Sequence, residues 1–199
     1  MAKLICITGA DGTGKSTLIQ SLAPYFPQAY TATVWDLLKN GAEGLPFRSK
    51  QQVDSYLCNL TPDSRLLFLA HAMKYAVDQA QESHAEAIII DSYFYKYTAT
   101  ELALGADRLL ARHLGKTFPL PDRTLLLELP LSLMAERKAR FSRYECGLAA
   151  APGPTEFLAF QAKVLAEWQH FSIPNVQRLD ARLPKEELSA LAIQKINHL

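Results

Sequence analysis

The run Leu4-Ile5-Cys6-Ile7-Thr8 passes directly into Gly9-Ala10-Asp11-Gly12-Thr13-Gly14-Lys15-Ser16-Thr17. The first half is apolar and rich in β-branched residues, the pattern of a strand buried on both faces. The second half fits G-x-x-x-x-G-K-S/T from Gly9 to Ser16, and Ser16-Thr17-Leu18-Ile19-Gln20-Ser21-Leu22 reads as the start of a helix. Glycines at these positions let the backbone turn so that successive N–H groups point inward, where a helix N-terminus adds positive potential. That geometry suits phosphate oxygens. Lys15 would reach the β- and γ-phosphates of a nucleoside triphosphate, and the Ser16 hydroxyl would sit on Mg²⁺. Gly9, Asp11, Gly12, Thr13, Gly14, Lys15, Ser16 and Thr17 are therefore the expected nucleotide contacts, with ATP and Mg²⁺ as the expected cofactors.

The rest of the composition narrows the class. A chain of 199 residues with 49% hydrophobic residues can fill the core of one domain, expected to span 1–199. A net charge of +1 gives no basic surface for nucleic acid, and no apolar run approaches the length of a membrane span. Cys6, Cys58 and Cys146 are odd in number and widely spaced, which argues against disulfides and zinc and for a reducing compartment. The chain enters its first strand at once, without an apparent signal peptide, so a cytoplasmic location is expected.

Four further strands are expected over Gln28–Trp35, Ala87–Asp91, Arg123–Leu129 and Asn175–Asp180. Ile88-Ile89-Ile90 and Leu125-Leu126-Leu127 are continuous apolar runs, as in a parallel sheet covered on both faces. Pro62 and Asp63 open a long helix with Leu66, Leu67, Leu69, Ala70, Met73 and Val77 at helical spacing. Other helices are expected over Leu131–Phe141, Thr155–His170 and from Pro184 onward, with mobile loops over Asn40–Phe47 and Ser142–Pro154. The alternation gives an α/β three-layer fold with a five-stranded parallel sheet and helices on both faces, ligands binding beyond the carboxyl ends of the strands.

That edge holds the remaining candidates. Asp91 ends the third strand and can hold Mg²⁺ or orient an acceptor group, or else cap the helix that starts near Tyr93. Arg137, Lys138, Arg140 and Arg143 form a cationic cluster, with Arg137 and Arg140 on one helix face at i, i+3; with the loop to residue 154 they read as a lid over about 137–154 whose arginines stabilise charge on a transferring phosphoryl group. Asp11 is read as facing the acceptor's hydroxyls or the metal, and Phe68 as able to stack on a planar ring, though a core aromatic is the commoner role. His71 and His113 have no partner spacing and are read as chemically idle.

These residues resemble the thymidylate kinase family. The segment Gly9 to Thr17 is similar to its P-loop, Leu66-Leu67-Phe68 to its Leu-Leu-Phe, Pro121-Asp122-Arg123-Thr124-Leu125-Leu126-Leu127-Glu128-Leu129 to its fourth-strand motif, and Arg137-Lys138-Ala139-Arg140 with Arg143-Tyr144-Glu145 to a shortened lid. Asp180-Ala181 resembles the Asp-Ala near which adenine packs. The resemblance implies a nucleoside monophosphate kinase fold, ATP as donor, Phe68 stacking on the acceptor base, Ala181 beside adenine, catalytic arginines from the lid and a homodimer. The acceptor side departs from the pattern. Asp91-Ser92-Tyr93 stands where the family has Asp-Arg-Tyr/His, Ala70-His71-Ala72 where it has Ala-Asp-Arg, and Val34-Trp35-Asp36 where it has Arg-Glu-Pro. Arg48 is a loose match to another phosphate-binding arginine, and Lys96 could replace one lost charge. Asp36, Arg48, Phe68, Tyr93 and Tyr97 are the acceptor-side candidates, with Asp11. One reading is transfer to a nucleoside monophosphate. A second is transfer to a hydroxyl or carboxylate acceptor with Asp36 as base, and a third is a nucleotide-binding module without efficient transfer.

Overall fold

The computed structural model describes residues 2–39 and 47–198. In chain order the elements are β1 (Lys3–Thr8), α1 (Lys15–Leu22), β2 (Ala29–Ala32), α2 (Asp36–Lys39), α3 (Lys50–Leu57), α4 (Pro62–Glu82), β3 (Ala87–Asp91), α5 (Tyr93–Ala103), α6 (Arg108–Gly115), β4 (Arg123–Glu128), α7 (Leu131–Glu136), α8 (Pro154–Trp168), β5 (Val176–Asp180) and α9 (Lys185–Asn197). The strands form one parallel sheet in the order β2-β3-β1-β4-β5. In β1, Leu4 and Cys6 join the core beneath α4 and α5, whereas Ile5 and Ile7 join the core beneath α1 and α9. A strand whose two faces are both apolar needs cover on both sides, and this is the reason for the three layers. Because β3 and β4 flank β1 on opposite sides, the chain reverses its direction of winding at the carboxyl end of β1, where a crevice opens. The segment after β1 lies at that crevice.

Helix signals fall where the sequence puts them for the long elements. Thr61 caps α4 by accepting from the Ser64 N–H, with Pro62 in the first turn, and Glu186 and Glu187 occupy the first turn of α9. Elsewhere the structure differs. The second strand stops at Ala32, not Trp35, because the Thr33 N–H turns onto the Asp36 carboxylate at 3.0 Å and α2 begins. The seventh helix stops at Glu136 instead of continuing to Phe141, so Arg137 and Arg140 do not share a helix face. A reciprocal cap lies further on. The Ser142 N–H donates to the Glu145 carboxylate at 3.1 Å and the Glu145 N–H to Ser142 Oγ at 3.3 Å, which starts a new short turn over Tyr144–Cys146. The stretch Ser142–Pro154, expected to be loose, buries Tyr144 and Cys146. The other expected loop lies, apart from Phe47, outside the described residues.

Candidate active site

The loop between β1 and α1 has the backbone that its glycines allow. Gly9 and Gly12 take positive φ, and a Cβ at either would meet a backbone carbonyl, Leu127 O at 2.6 Å and Met134 O at 2.7 Å. The loop also ties itself down: Thr13 Oγ1 and Lys15 Nζ both donate to the Ala10 carbonyl, at 2.9 and 2.8 Å.

On one side of the loop lies a cavity of about 400 Å³. Asp11, Gly12, Gly14, Lys15, Ser16, Thr17, Asp91 and Tyr97 line it together, as do Lys96 and Lys138. Asp91 arrives from the end of β3, and Ser92 and Tyr93 take positive φ directly after it, a strained turn that launches α5 and leaves Asp91 at the sheet edge. The Asp91 carboxylate accepts from Ser92 Oγ at 2.9 Å, and the position that caps α5 is Ser92. On the other side of the loop a cavity of about 480 Å³ is lined by Gly12, Thr13, Gly14, Arg137, Lys138, Ala181 and Leu183, among others. Arg137 Nη2 donates to the Ala181 carbonyl at 2.9 Å, closing this second space. Gly12, Gly14, Thr17 and Lys138 face both cavities, so the loop forms the ridge between them.

The charges in the first cavity are closely coupled. Lys96, on α5, pairs with Asp11 at 2.9 Å. Burial pushes the Asp11 carboxyl up, but Lys96 and then Lys15 outweigh it and hold it down to about 2. Burial lowers Lys15 to about 8 against the attraction of Asp11, while Asp11 keeps Lys96 above its ordinary value despite burial. Lys138 pairs with Glu145 at 2.8 Å. Gln161 of α8 joins loop to lid, accepting from the Asp11 N–H and donating to the Glu145 carbonyl at 3.0 Å. Behind this wall lies a buried ion pair: Arg65 Nε donates to Glu101 at 2.7 Å, and Tyr144 Oη donates to the other Glu101 oxygen at 2.7 Å. Arg65 also holds the Leu57 and Leu60 carbonyls at 2.7 and 3.0 Å, so α3, α4, α5 and the lid turn meet at one buried guanidinium.

Several sequence candidates are elsewhere. Asp36 is buried and its carboxylate is turned onto the Thr33 N–H, not toward an acceptor. Tyr93 is fully buried, its hydroxyl donating to the Pro119 carbonyl at 2.6 Å, because the strained turn after Asp91 drives it into the core. Phe68 packs edge-on against Tyr56 and Phe47 outside the cavity, and Arg48 is exposed on the approach to α3. Arg143 reaches back to the Leu148 and Ala149 carbonyls at 3.4 Å, and Arg140 is exposed after the early end of α7. The cations facing the first cavity are lysines, and among the described residues no arginine lines it. Sequence reasoning placed Lys138, Tyr144 and Glu145 in the lid without giving any of them a role of its own, and it passed over Asp54; the Ser142-x-x-Glu145 spacing was the available signal for Glu145.

A Gly-rich loop between the central strand and α1, with a lysine and a hydroxyl at its end and a strand-end carboxylate beside it, defines a P-loop nucleotide-binding fold. Known proteins agree with this. No protein-family model matches the chain. A protein named "Probable thymidylate kinase" from Metallosphaera sedula is 28% identical over 202 residues, covering 98% of this chain and 93% of its own length. The "Thymidylate kinase" of Akkermansia muciniphila is 26% identical over 204 residues, covering 94% of this chain and 88% of its own. Among solved structures, thymidylate kinase from Candida albicans superposes with a TM-score of 0.70 at 20% identity over 99% of this chain and 92% of that one. Deoxyadenosine kinase from M. mycoides with bound dATP gives 0.66 at 17% identity over 98% and 99%, a likeness of fold. Over nearly its whole length the chain is thus similar to thymidylate kinases, its fold is that of the P-loop kinases, and it is a nucleotide kinase.

Proposed function

We propose that the enzyme transfers the γ-phosphoryl group of ATP to a nucleoside monophosphate of the dTMP type. The observation that carries this reading is the meeting of Lys15, Lys96 and Lys138 with Ser16 and Asp91 in one cavity beside the loop. The phosphates of ATP lie along the loop N–H groups and Lys15, and its base and ribose extend into the second cavity past Ala181. Mg²⁺ fits the Ser16 hydroxyl and the Asp91 carboxylate, hard oxygen donors on the same cavity, and when bound it would neutralise charge on the β- and γ-phosphates. Among the described residues there is no cluster of three or more His, Cys, Asp or Glu side chains, and a cation held chiefly by phosphate oxygens needs none. Lys96 and Lys138 take the acceptor phosphate, whose oxygen attacks the γ-phosphorus as the bond to the ADP oxygen breaks and ADP leaves with the electron pair. A phosphate oxygen is already ionised, so no strong general base is required and positioning dominates. Arg137 and Lys138, close to the loop, supply the lid charge. Arg140 and Arg143 lie farther out. A cytoplasmic homodimer is part of the same reading.

A hydroxyl acceptor with Asp36 as base has less support, since that carboxylate caps the turn at Thr33. Measuring ADP release across nucleoside monophosphates, nucleosides and small hydroxyl metabolites tests the proposal. Turnover of a monophosphate in the range of about 1–100 s⁻¹ ordinary for kinases is expected. Phosphorylation of nucleosides alone would overturn it.

A further inference from the structure

One wall of the first cavity comes from the turn after β2, from α3 and from α4. Val34, Trp35, Leu57 and Leu69 make it largely apolar, and among the described residues Asp54 is the one charged side chain it contributes. We propose that Asp54 reads the base of the acceptor, its carboxylate accepting a hydrogen bond from a ring or amino N–H of a nucleoside monophosphate laid against this wall. The inference rests on the reading of this cavity as the acceptor site.

The surroundings of Asp54 give it little else to do. Among the described residues neither a hydrogen bond nor an ion pair engages its carboxylate. Lys50, one helical turn earlier on α3, is the natural partner, but its ammonium lies over the Trp35 ring, 4.9 Å from the centroid. Arg65, on α4, gives its Nε to Glu101 and its Nη1 to the Leu57 and Leu60 carbonyls and makes no hydrogen bond to Asp54. Glu145 acts on Asp54 from the lid side as a like charge, with Lys96 and Lys50 as weaker opposing charges. Partial burial and Glu145 raise the Asp54 carboxyl above its ordinary value. A half-buried acceptor beside a second carboxylate repels a carbonyl oxygen and favours an N–H. Trp35 and the leucines supply the apolar surface a planar base needs, and Lys96 and Lys138 mark the phosphate end of the same cavity. Asp54 therefore acts where the base edge falls, and it sets which base is accepted. A charge at this point discriminates by what it leaves unpaired with the wrong base.

The test is steady-state kinetics of the full chain with dTMP, dCMP, dAMP and dGMP, for the wild type, Asp54→Asn and Asp54→Ala. For the best acceptor, kcat/KM is expected to fall about 10- to 100-fold in Asp54→Ala, mainly through KM, as for loss of a hydrogen bond to a charged group. The Asn variant keeps one acceptor oxygen and should fall less. The order of preference among the bases should flatten in both, while the KM for ATP stays unchanged. An active wild type whose acceptor KM and base preference survive both substitutions would overturn the role of Asp54 and leave the kinase reading intact. A loss confined to kcat would overturn it equally. Absence of product from every monophosphate would overturn both. Asp54 is partly exposed on α3, and circular dichroism of the Asn variant checks that the fold is kept.

Discussion

The phosphate loop and the acceptor wall meet in one cavity but are built in opposite ways. The loop is a single run of residues, Gly9 to Thr17, whose functional groups are backbone N–H groups, one ammonium and one hydroxyl. Its shape follows from glycine dihedrals and from the Ala10 carbonyl that Thr13 and Lys15 share. The wall is assembled from the turn after β2, α3, α4, α5 and the lid turn, which are far apart in sequence. What holds it is the buried Arg65–Glu101–Tyr144 cluster together with the Gln161 bridge. In the proposed reading the loop is thus a local structure carrying chemistry, whereas the wall is a tertiary structure carrying recognition. Removing a functional group of the loop should remove activity and leave the fold, while damage behind the wall should loosen the fold itself.

The strongest form of that contrast is Glu101→Ala. It leaves Arg65 buried at 0% side-chain exposure without its carboxylate, and such a loss costs about 3–5 kcal/mol. Urea unfolding should show the loss, with much of it recovered when Arg65→Met is added. A loss below about 1 kcal/mol, ordinary for a surface site, would mean that the cluster does not hold the wall. Lys15→Ala is the counterpart on the loop. Turnover should drop by roughly 10²–10³, as when one group stabilising transition-state charge is removed, with the unfolding midpoint little changed. Turnover near that of the wild type would remove Lys15 from the proposed mechanism.

The same contrast explains how much could be read from the chain. The sheet was legible because β1, β3 and β4 are buried on both faces and appear as unbroken apolar runs. The loop was legible because its signal is contiguous. Short elements were not. α3 buries only Val53 and Leu57 in an otherwise polar stretch, so its period is too weak to stand out. Beyond the early end of α7 the chain is held by a cap that Ser142 and Glu145 form outside the helix itself. Among the acceptor-side candidates, Asp11 and Tyr97 reach the cavity, while Asp36, Arg48, Phe68 and Tyr93 do not line it. Tyr93 shows why: its identity suits a binding site, but two consecutive positive φ values at Ser92 and Tyr93 turn it inward, and no local pattern announces them. Asp54 was missed because its lack of a hydrogen-bond or ion-pair partner among the described residues shows only in the packed structure.

Gly12→Ala marks where that separation ends, because here the backbone of the loop, not a functional group, packs against α7. The added Cβ would lie 2.7 Å from the Met134 carbonyl at a φ of +85°, a strain of about 1–3 kcal/mol. Because Met134 belongs to α7 and Gly12 faces both cavities, weaker ATP binding should accompany a lower thermal midpoint. Weaker binding with an unchanged midpoint would mean that the loop yields without disturbing α7, a sharper separation than proposed.

The smallest effect concerns protons. Burial depresses Lys15 to about 8 from 10.5 in the folded, nucleotide-free protein. Between those values the unfolded chain binds more protons, so this group makes stability rise with pH across that window. A bound triphosphate favours the charged ammonium and lifts Lys15 back up. Binding near pH 8 should therefore take up protons, and affinity should fall as pH rises further, by at most about tenfold per unit for one group. Calorimetric titration with an ATP analogue in two buffers of different ionisation enthalpy measures that uptake directly. Lys15→Met should abolish it, because Lys96 is held charged by Asp11 throughout this range and has no proton to gain. Proton-neutral binding by the wild type at pH 8 would mean that the loop keeps Lys15 fully charged before the phosphates arrive.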